Sequence, residues 1–286
     1  MIWKKKHDTL VGKELTRVAV ALFVLMILAV LLTVWQFYAE TVDGFAINYS
    51  APSLVWESLT ENFYLNVRWH LTATLYRVVY ALLLAFFVAY PLGSAMTNFG
   101  WPGQLVGMSI LVVYAVPKID VIYMILEFRG YNEGAVLLIT TWTAFIMMMF
   151  FGYLAGHSMI RDKEMGRPLL QAAQGLGANA WQRYWRIMRP HLAGNQIHCL
   201  QVLSISVFTA VSFAELAVSA NVNGLGGQIL KSANQNNIDR MLSFSFILAC
   251  TSGVTWYVVW GIEKGWKSRQ KRLASPIQDS PLPRNF

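Results

Sequence analysis

The chain has 286 residues, of which 56% are hydrophobic and 13% are charged, and its mean hydropathy is +0.43. Soluble domains carry roughly 25% charged residues, so this composition excludes an ordinary soluble protein and indicates an integral membrane protein. The net charge of +8 does not indicate nucleic-acid binding, because the basic residues lie beside apolar runs and do not form one polar face. We therefore expect membrane lipid as a partner and no nucleic acid.

The first predicted element is a spanning helix over residues 18–35, which follows a basic N-terminus. A secretory signal peptide also starts with basic residues. This run of 18 residues is long for a signal core, however, and it ends in bulky side chains without a small-residue cleavage site, so a retained helix is preferred. Residues 36–66 contain acidic residues and no Lys or Arg, and we predict that they are external.

Five further apolar runs approach the ~20 residues that a helix needs to cross a bilayer. They lie at residues 71–94, 105–126, 135–154, 197–220 and 241–262. The chain is thus predicted to be an all-α integral membrane protein with about six transmembrane helices. With a cytoplasmic N-terminus, 17 of the 23 Lys and Arg residues fall in inside segments, which predicts that both termini are cytoplasmic. The inside segment 95–103 is an exception, because it carries no positive charge.

A polar segment at residues 171–194, QAAQGLGANAWQRYWRIMRPHLAG, interrupts the apolar runs. Arg183, Arg186 and Arg189 recur every third residue. The opposite face is apolar and is formed by Trp181, Tyr184, Trp185 and Ile187. This pattern predicts a short amphipathic helix after a glycine turn, and such a helix needs a partner outside the membrane.

The segment resembles the cytoplasmic loop of ABC importer permeases, which is written EAA, three residues, G, nine residues, I, one residue, LP. The matching positions are Gln171, Ala172, Ala173, Gly177, Ile187 and Pro190. Gln171 stands where Glu is usual, so the acceptor is kept and the charge is lost. Arg189 replaces Leu, and Gly194 lies where a second proline often appears.

Over roughly residues 50–272, the chain resembles the permease subgroup that serves nitrate, taurine, sulfonate and pyrimidine-precursor importers. The residues that carry this resemblance outside the loop are Ala51-Pro52-Ser53, His70, Thr74-Leu75, Arg77-Val78, Ala81, Val116-Pro117-Lys118, Phe128-Arg129-Gly130, Glu215, Gly224-Leu225-Gly226 and Asp239. It implies a type I ABC importer permease fold in a bacterial inner (plasma) membrane. It also implies three kinds of partner: ABC ATPase subunits, a second permease chain that is the same or homologous, and an extracytoplasmic solute-binding protein.

By the same resemblance, the helix after Gly177 docks on an ATPase subunit and transmits its closure as a rigid lever. The implied coupling residues are Gln171, Ala172, Ala173, Gly177, Ala178, Trp181, Arg183, Tyr184, Arg186, Ile187 and Pro190. The arginines are predicted to pair with acidic residues and the aromatic residues to fill apolar pockets. Lipid headgroup contact or topology signalling is an equal alternative for any single arginine.

The sequence predicts no catalytic, metal or cofactor site in the chain itself. The Gly-Leu-Gly-Gly run at residues 224–227 lacks the Lys of a phosphate-binding loop, so ATP and Mg are expected to be used only by the partner ATPase subunits. Cys199 and Cys250 lie in apolar runs and are predicted to be reduced packing thiols.

Charged residues are predicted at membrane depth, where each costs several kcal/mol unless it is paired or faces water. For Arg77, Lys118 and Glu215, the alternative to a functional role is an architectural one, in which the charges are paired. Asp120 lies two residues from Lys118 and therefore on a different helix face, so we expect it either to select the solute or to lie at the external interface. Pro117 is predicted to kink its span. The predicted translocation path comprises Tyr114, Lys118, Asp120, Tyr123 and Glu215.

The sequence predicts three regions: residues 1–66 with the first helix, a permease core at 67–266 that includes the loop 157–194, and a disordered cytoplasmic tail at 267–286. Two other functions stay open at this point. One is an ion-gradient-driven secondary carrier or channel that uses the four charged residues as a relay. The other is a non-transporting membrane anchor that recruits a soluble complex through the loop.

Overall fold

The computed structural model describes residues 2–41, 50–62, 67–218 and 222–278. All regular elements within these ranges are helical, which confirms the all-α class. Four of the described helices are long and apolar enough to cross a bilayer, and one bent pair raises this number to five. The chain is therefore built as a multi-pass membrane protein, whereas six spans and the type I permease fold stay predictions.

The N-terminal helix α1 (Ile2–Thr41) contains the predicted first span. Most of its described apolar side chains, including Leu25 and Leu28, are exposed. The helix is joined to α2 (Pro52–Asn62) through Gln36, whose amide donates to Ser53 Oγ at 3.1 Å and accepts from the Ser53 N–H at 3.2 Å. In a bilayer, this apolar surface would face lipid.

The core is formed by three long helical segments, whose buried side chains include Val78, Met148 and Leu203. The first segment is α3 (Arg68–Leu84), a π-helical turn (Ala85–Ala89) and α4 (Tyr90–Met96); the second is α7 (Glu133–Arg161); the third is α9 (Ala180–Arg183), a π-helical turn (Tyr184–Met188) and α10 (Arg189–Val218). Glycine brings α4 and α7 into backbone contact, because a Cβ on Gly93 would lie 2.0 Å from the Met149 carbonyl oxygen. Small residues allow this close approach of spanning helices.

The predicted third span, residues 105–126, is not a single kinked helix. It is broken into α5 (Trp101–Ala115) and α6 (Lys118–Arg129), whose axes differ by 89°. Val116 and Pro117 are both extended, with ψ of 130° and 128°. Proline disfavours the helical conformation of the residue before it and donates no backbone hydrogen bond, so here the helix stops and restarts.

The loop between α7 and α10 also differs from the prediction. A short helix, α8 (Gly166–Gly175), lies before the glycine turn, and the helix after the turn is not a separate element. It continues without a break into the next span, so that residues Ala180–Val218 form one segment of 39 residues.

The C-terminal part consists of α11 (Leu225–Asn234) and α12 (Ile238–Gln278). Because α12 continues to Gln278, the predicted disordered tail does not begin at residue 267, and residues 279–286 lie outside the described ranges. Both cysteines are free as predicted, but Cys250 is exposed, so only Cys199 is partly packed.

Candidate functional site

The loop after α7 begins with an aspartate that holds the start of α8. Asp162 accepts hydrogen bonds from the backbone N–H groups of Glu164 at 3.0 Å and Gly166 at 3.1 Å. These two donors stabilise the carboxylate and lower the pKa of Asp162 from its usual value. Leu170 is buried and anchors α8, while Leu169 is exposed on the same helix.

The predicted glycine turn is present and has a defined geometry. Gly177 has φ of +81°, and its N–H donates to the Gln174 carbonyl at 3.0 Å. The Ala178 N–H donates to the Ala173 carbonyl at 3.0 Å. These two bonds form a Schellman motif, which ends α8. The residue that this motif places in the left-handed conformation is Gly177, and glycine is favoured in that conformation. The glycine at motif position 177 thus has a structural reason.

The next helix starts at once with a capping box. Asn179 Oδ1 accepts from the Gln182 N–H at 2.8 Å, and Gln182 Oε1 accepts from the Asn179 N–H at 3.0 Å. Across the turn, Arg183 donates to Gln174 Oε1 at 2.9 Å. Two helices are therefore joined by a short corner that backbone and side-chain hydrogen bonds stabilise.

The corner presents exposed apolar and basic side chains to the solvent. Leu176 is 89% exposed and Trp181 is 56% exposed, so both side chains are accessible to a partner. Arg186 is exposed and Arg183 is half-buried. Of the remaining predicted coupling residues, Gln171, Ala172 and Pro190 are exposed and Ile187 is half-buried.

Tyr184 does not lie on this surface, contrary to its predicted role in filling a pocket of a partner. Its side chain is 2% exposed, and its hydroxyl donates to the Pro91 carbonyl at 2.9 Å and contacts Ser94 Oγ at 3.1 Å. Trp185 stays exposed, and the guanidinium of Arg189 lies 4.2 Å from its ring centre. Tyr184 therefore joins the loop to the bundle and is not free for a partner.

A second feature is a cavity of about 280 Å³ beside the broken span. Lys118 lines it at the start of α6, and Thr143 of α7, with Ser206 and Thr209 of α10, contributes hydroxyl groups. Lys118 also borders a smaller cavity of about 30 Å³, which Tyr114 lines on the other side. The broken helix thus brings Tyr114 and Lys118 together at the smaller cavity, and their roles in a path stay predictions.

Asp120 and Tyr123 lie on α6 but do not line these cavities. Both side chains are exposed on the surface of this single chain. Asp120 lies in the first turn of α6, where its carboxylate is favourably placed near the helix N-terminus. Their roles in the path stay predictions.

Glu215 faces the interior of the protein and is 1% exposed. It forms an ion pair with Arg77, accepts from Thr74 Oγ1 at 2.8 Å and accepts from the Gly226 N–H at 2.8 Å. A Cβ on Gly224 would lie 2.3 Å from its carboxyl carbon, so the glycine run packs directly against the carboxylate. This placement supports the architectural role of Glu215 and not a position on the wall of the translocation path.

Arg77 has a second partner that the sequence reasoning did not identify. It donates to Glu133 through Nε at 2.8 Å and Nη2 at 2.6 Å, and to the Asn223 carbonyl at 2.6 Å. Lys118 is not part of this network among the described contacts. Periodicity gives no signal for such a pair, because Glu133 and Arg77 lie 56 residues apart.

No group of three or more potential metal ligands occurs among the described residues. Comparison of the sequence with protein-family models and with curated proteins finds no match. A functional assignment therefore depends on the loop corner, the cavity and the helix that connects them.

Proposed function

We propose that this chain is the transmembrane permease subunit of an ATP-driven ABC importer. ABC ATPase subunits would bind the loop at residues 171–194, and an extracytoplasmic solute-binding protein would deliver a small solute. A second permease chain, the same or homologous, would complete the path. The chain itself would not hydrolyse ATP.

The observation that carries this proposal is the continuity of one helix from the loop to the cavity. Trp181 lies at the first turn of the Ala180–Val218 segment, and Ser206 and Thr209 of the same segment line the cavity. At 1.5 Å per residue, Trp181 and Ser206 are about 38 Å apart along the axis. A helix transmits a push along its axis, so a subunit that moves the corner also moves the cavity wall.

The chemistry of the corner fits a partner with an apolar groove and acidic residues at its edge. Leu176 and Trp181 supply exposed apolar anchors, and Arg186 supplies a neighbouring positive charge. Buried aromatic anchors contribute most to binding at interfaces, whereas a single charge at the edge contributes little. We therefore assign the main binding role to Trp181, with Leu176 as a neighbouring apolar contact.

The arrangement of charges disfavours the gradient-driven alternative. A relay needs titratable groups in succession, but Arg77 and Glu215 are paired with each other inside the protein, and no described ion pair links them to Lys118 or Asp120. The cavity on the loop-bearing helix disfavours the simple anchor. Both alternatives are tested together with the proposal.

The test uses membrane vesicles that contain the complete native assembly and a single cysteine as reporter. Cys199 and Cys250 are replaced by Ala, and Ser206→Cys places one thiol in the cavity wall. A membrane-impermeant thiol reagent then reports accessibility with Mg-ATP and vanadate, or with a proton or sodium gradient and no ATP. The proposal predicts a change in labelling rate with ATP alone. A response only to the gradient would support the carrier, and no response to either would support the anchor.

Loop variants identify the coupling surface in the same assay. Trp181→Asp and Gly177→Pro are expected to abolish the ATP-dependent change, because the first places a charge in the apolar contact and the second is incompatible with φ of +81°. The matched controls are Trp56→Asp, an exposed tryptophan on α2, and Gly177→Asn, since Asn tolerates the left-handed conformation. Normal ATP responses in Trp181→Asp and Gly177→Pro would overturn the proposal.

A further inference from the structure

The two spanning segments that meet at the loop have the same irregularity in the same register. In each segment a five-residue π-helical turn, Ala85–Ala89 or Tyr184–Met188, is followed by one residue and then by a proline. These prolines are Pro91 and Pro190. Single π-helical turns within α-helices occur frequently at functional sites.

Proline explains why the turns widen. Within an α-helix, proline cannot donate a backbone hydrogen bond and its ring clashes with the carbonyl four residues earlier. In the first segment, the Tyr90 N–H donates to the Ala85 carbonyl, five residues earlier, and so leaves the Phe86 carbonyl without its usual α-helical donor. In the second segment, the Arg189 N–H donates to the Tyr184 carbonyl in the same way. Each wide turn accommodates a proline and releases a backbone carbonyl.

The other segment supplies a donor to the first of these turns. Gln196 of α10 donates through Nε2 to the released Phe86 carbonyl at 2.5 Å, and its side chain is buried. Nearer the loop, Asn98 donates through Nδ2 to the Ala180 carbonyl at 2.5 Å. The first segment, together with the turn that follows it, is thus bonded to the second segment at both ends of a shared stretch.

Between these ends, two buried tyrosines connect the segments in opposite directions. Tyr184 of the loop-bearing segment donates to the Pro91 carbonyl at 2.9 Å. Tyr90 of the other segment lies 3.4 Å from the Leu192 carbonyl, which it donates to, and accepts from Asn195 Nδ2 at 3.1 Å. Each tyrosine is 2% exposed, so neither hydroxyl can replace its protein partner with bulk water at low cost.

We infer that the paired π-helical turns form one joint, and that Tyr90 and Tyr184 are positioning residues that make the Arg68–Met96 span move with the loop-bearing helix. This inference rests on the proposed function and adds the route by which motion leaves the loop. Motion of the corner then reaches the neighbouring span, which carries Arg77, as well as the cavity wall.

The test combines tyrosine-to-phenylalanine variants with a Thr72→Cys reporter in native membrane vesicles, with Cys199 and Cys250 replaced by Ala. Thr72 is exposed and lies on the Arg68–Met96 span, so its labelling reports motion that has left the loop-bearing helix. Tyr90→Phe and Tyr184→Phe remove one hydroxyl each and keep the packed ring. The readout is the ATP-dependent change in labelling divided by the ATP hydrolysed during turnover, with Mg-ATP as the probe. We expect each variant to lower this ratio about fivefold, equivalent to ~1 kcal/mol for one buried hydrogen bond. ATP-free labelling should stay unchanged.

The control is Tyr80→Phe, on the same span but with an exposed side chain, and it should keep the wild-type ratio. If the tyrosine variants assemble poorly, Ser94→Ala removes a contact of the Tyr184 hydroxyl while leaving both rings in place. Wild-type ratios in Tyr90→Phe and Tyr184→Phe, with Trp181→Asp uncoupled, would overturn the joint and leave the proposed function standing. A normal ATP response in Trp181→Asp would overturn the proposed function itself.

Discussion

The buried ion pair of Arg77 and Glu215 allows the most direct test of the structure. Arg77→Met leaves the Glu215 carboxylate inside the protein with only the Thr74 hydroxyl and the Gly226 N–H as described donors. Removing one partner of a buried ion pair costs about 3–5 kcal/mol, because the remaining charge is not compensated. At roughly 2–4 °C per kcal/mol, this variant should unfold about 6–20 °C below the wild type.

The assay is thermal unfolding of the detergent-solubilised protein, followed by the fluorescence of its 11 tryptophans. Glu133→Gln is the control, because Glu133 is 58% exposed and Arg77 keeps Glu215 as its partner, so this change leaves no uncompensated buried charge and should cost less than Arg77→Met. The double variant Arg77→Met with Glu215→Gln should recover more than half of the loss, since the amide oxygen can still accept from Gly226 and no buried charge remains. If Arg77→Met unfolds no earlier than Glu133→Gln, the energy assigned to this pair is wrong.

Three further predictions follow from backbone geometry and charge. Gly152→Ala should destabilise the protein by about 1–3 kcal/mol in thermal unfolding, because its Cβ would lie 2.4 Å from a carbonyl oxygen of the neighbouring span, whereas Gly253→Ala has open space and should not destabilise it. Gly177→Ala should make the loop about 5–30 times more sensitive to limited proteolysis, as expected for a cost of ~1–2 kcal/mol at positive φ, while Gly175→Ala should leave the cleavage rate unchanged. The pKa of Asp162 is lower in the folded state than in the unfolded state. Its contribution to the stability of the folded state is therefore present above the unfolded-state pKa near 4, and this contribution is lost as the pH falls through the lowered folded-state pKa. Asp162→Asn should flatten this acid-side loss of stability in unfolding scans between pH 6 and 3, and an unchanged pH profile would contradict the assignment.

The loop shows which site features follow from local sequence. Gly177 adopts the left-handed conformation at the end of α8, and Asn179 caps the next helix, because both features depend on residues within a few positions. The prediction that the Tyr184 side chain faces a partner is wrong. Its spacing places it with Trp181 and Trp185, but the partner that decides its orientation is Pro91, which lies 93 residues away.

The positions of the prolines in the sequence predicted only part of the helix geometry around them. Pro117 was expected to kink a span, and instead it divides the span into two helices at 89°. Pro91 gave no expected feature, yet a π-helical turn precedes it, as one precedes Pro190. A proline in the sequence predicts that one helical hydrogen bond is lost. Whether the helix then kinks, widens or stops depends on which neighbouring groups replace that bond.

Composition and hydropathy by themselves determined that this is an all-helical membrane protein with a basic, glycine-turned loop, because the bilayer imposes the same length and polarity on every span regardless of its neighbours. Only the tertiary structure decided the partners of the charged and hydroxyl groups. Arg77 joins Glu215 across 138 residues, and Lys118 and Ser206 line one cavity to which three separate helices contribute. Such contacts depend on how helices pack against one another, and a periodic sequence pattern does not contain that information.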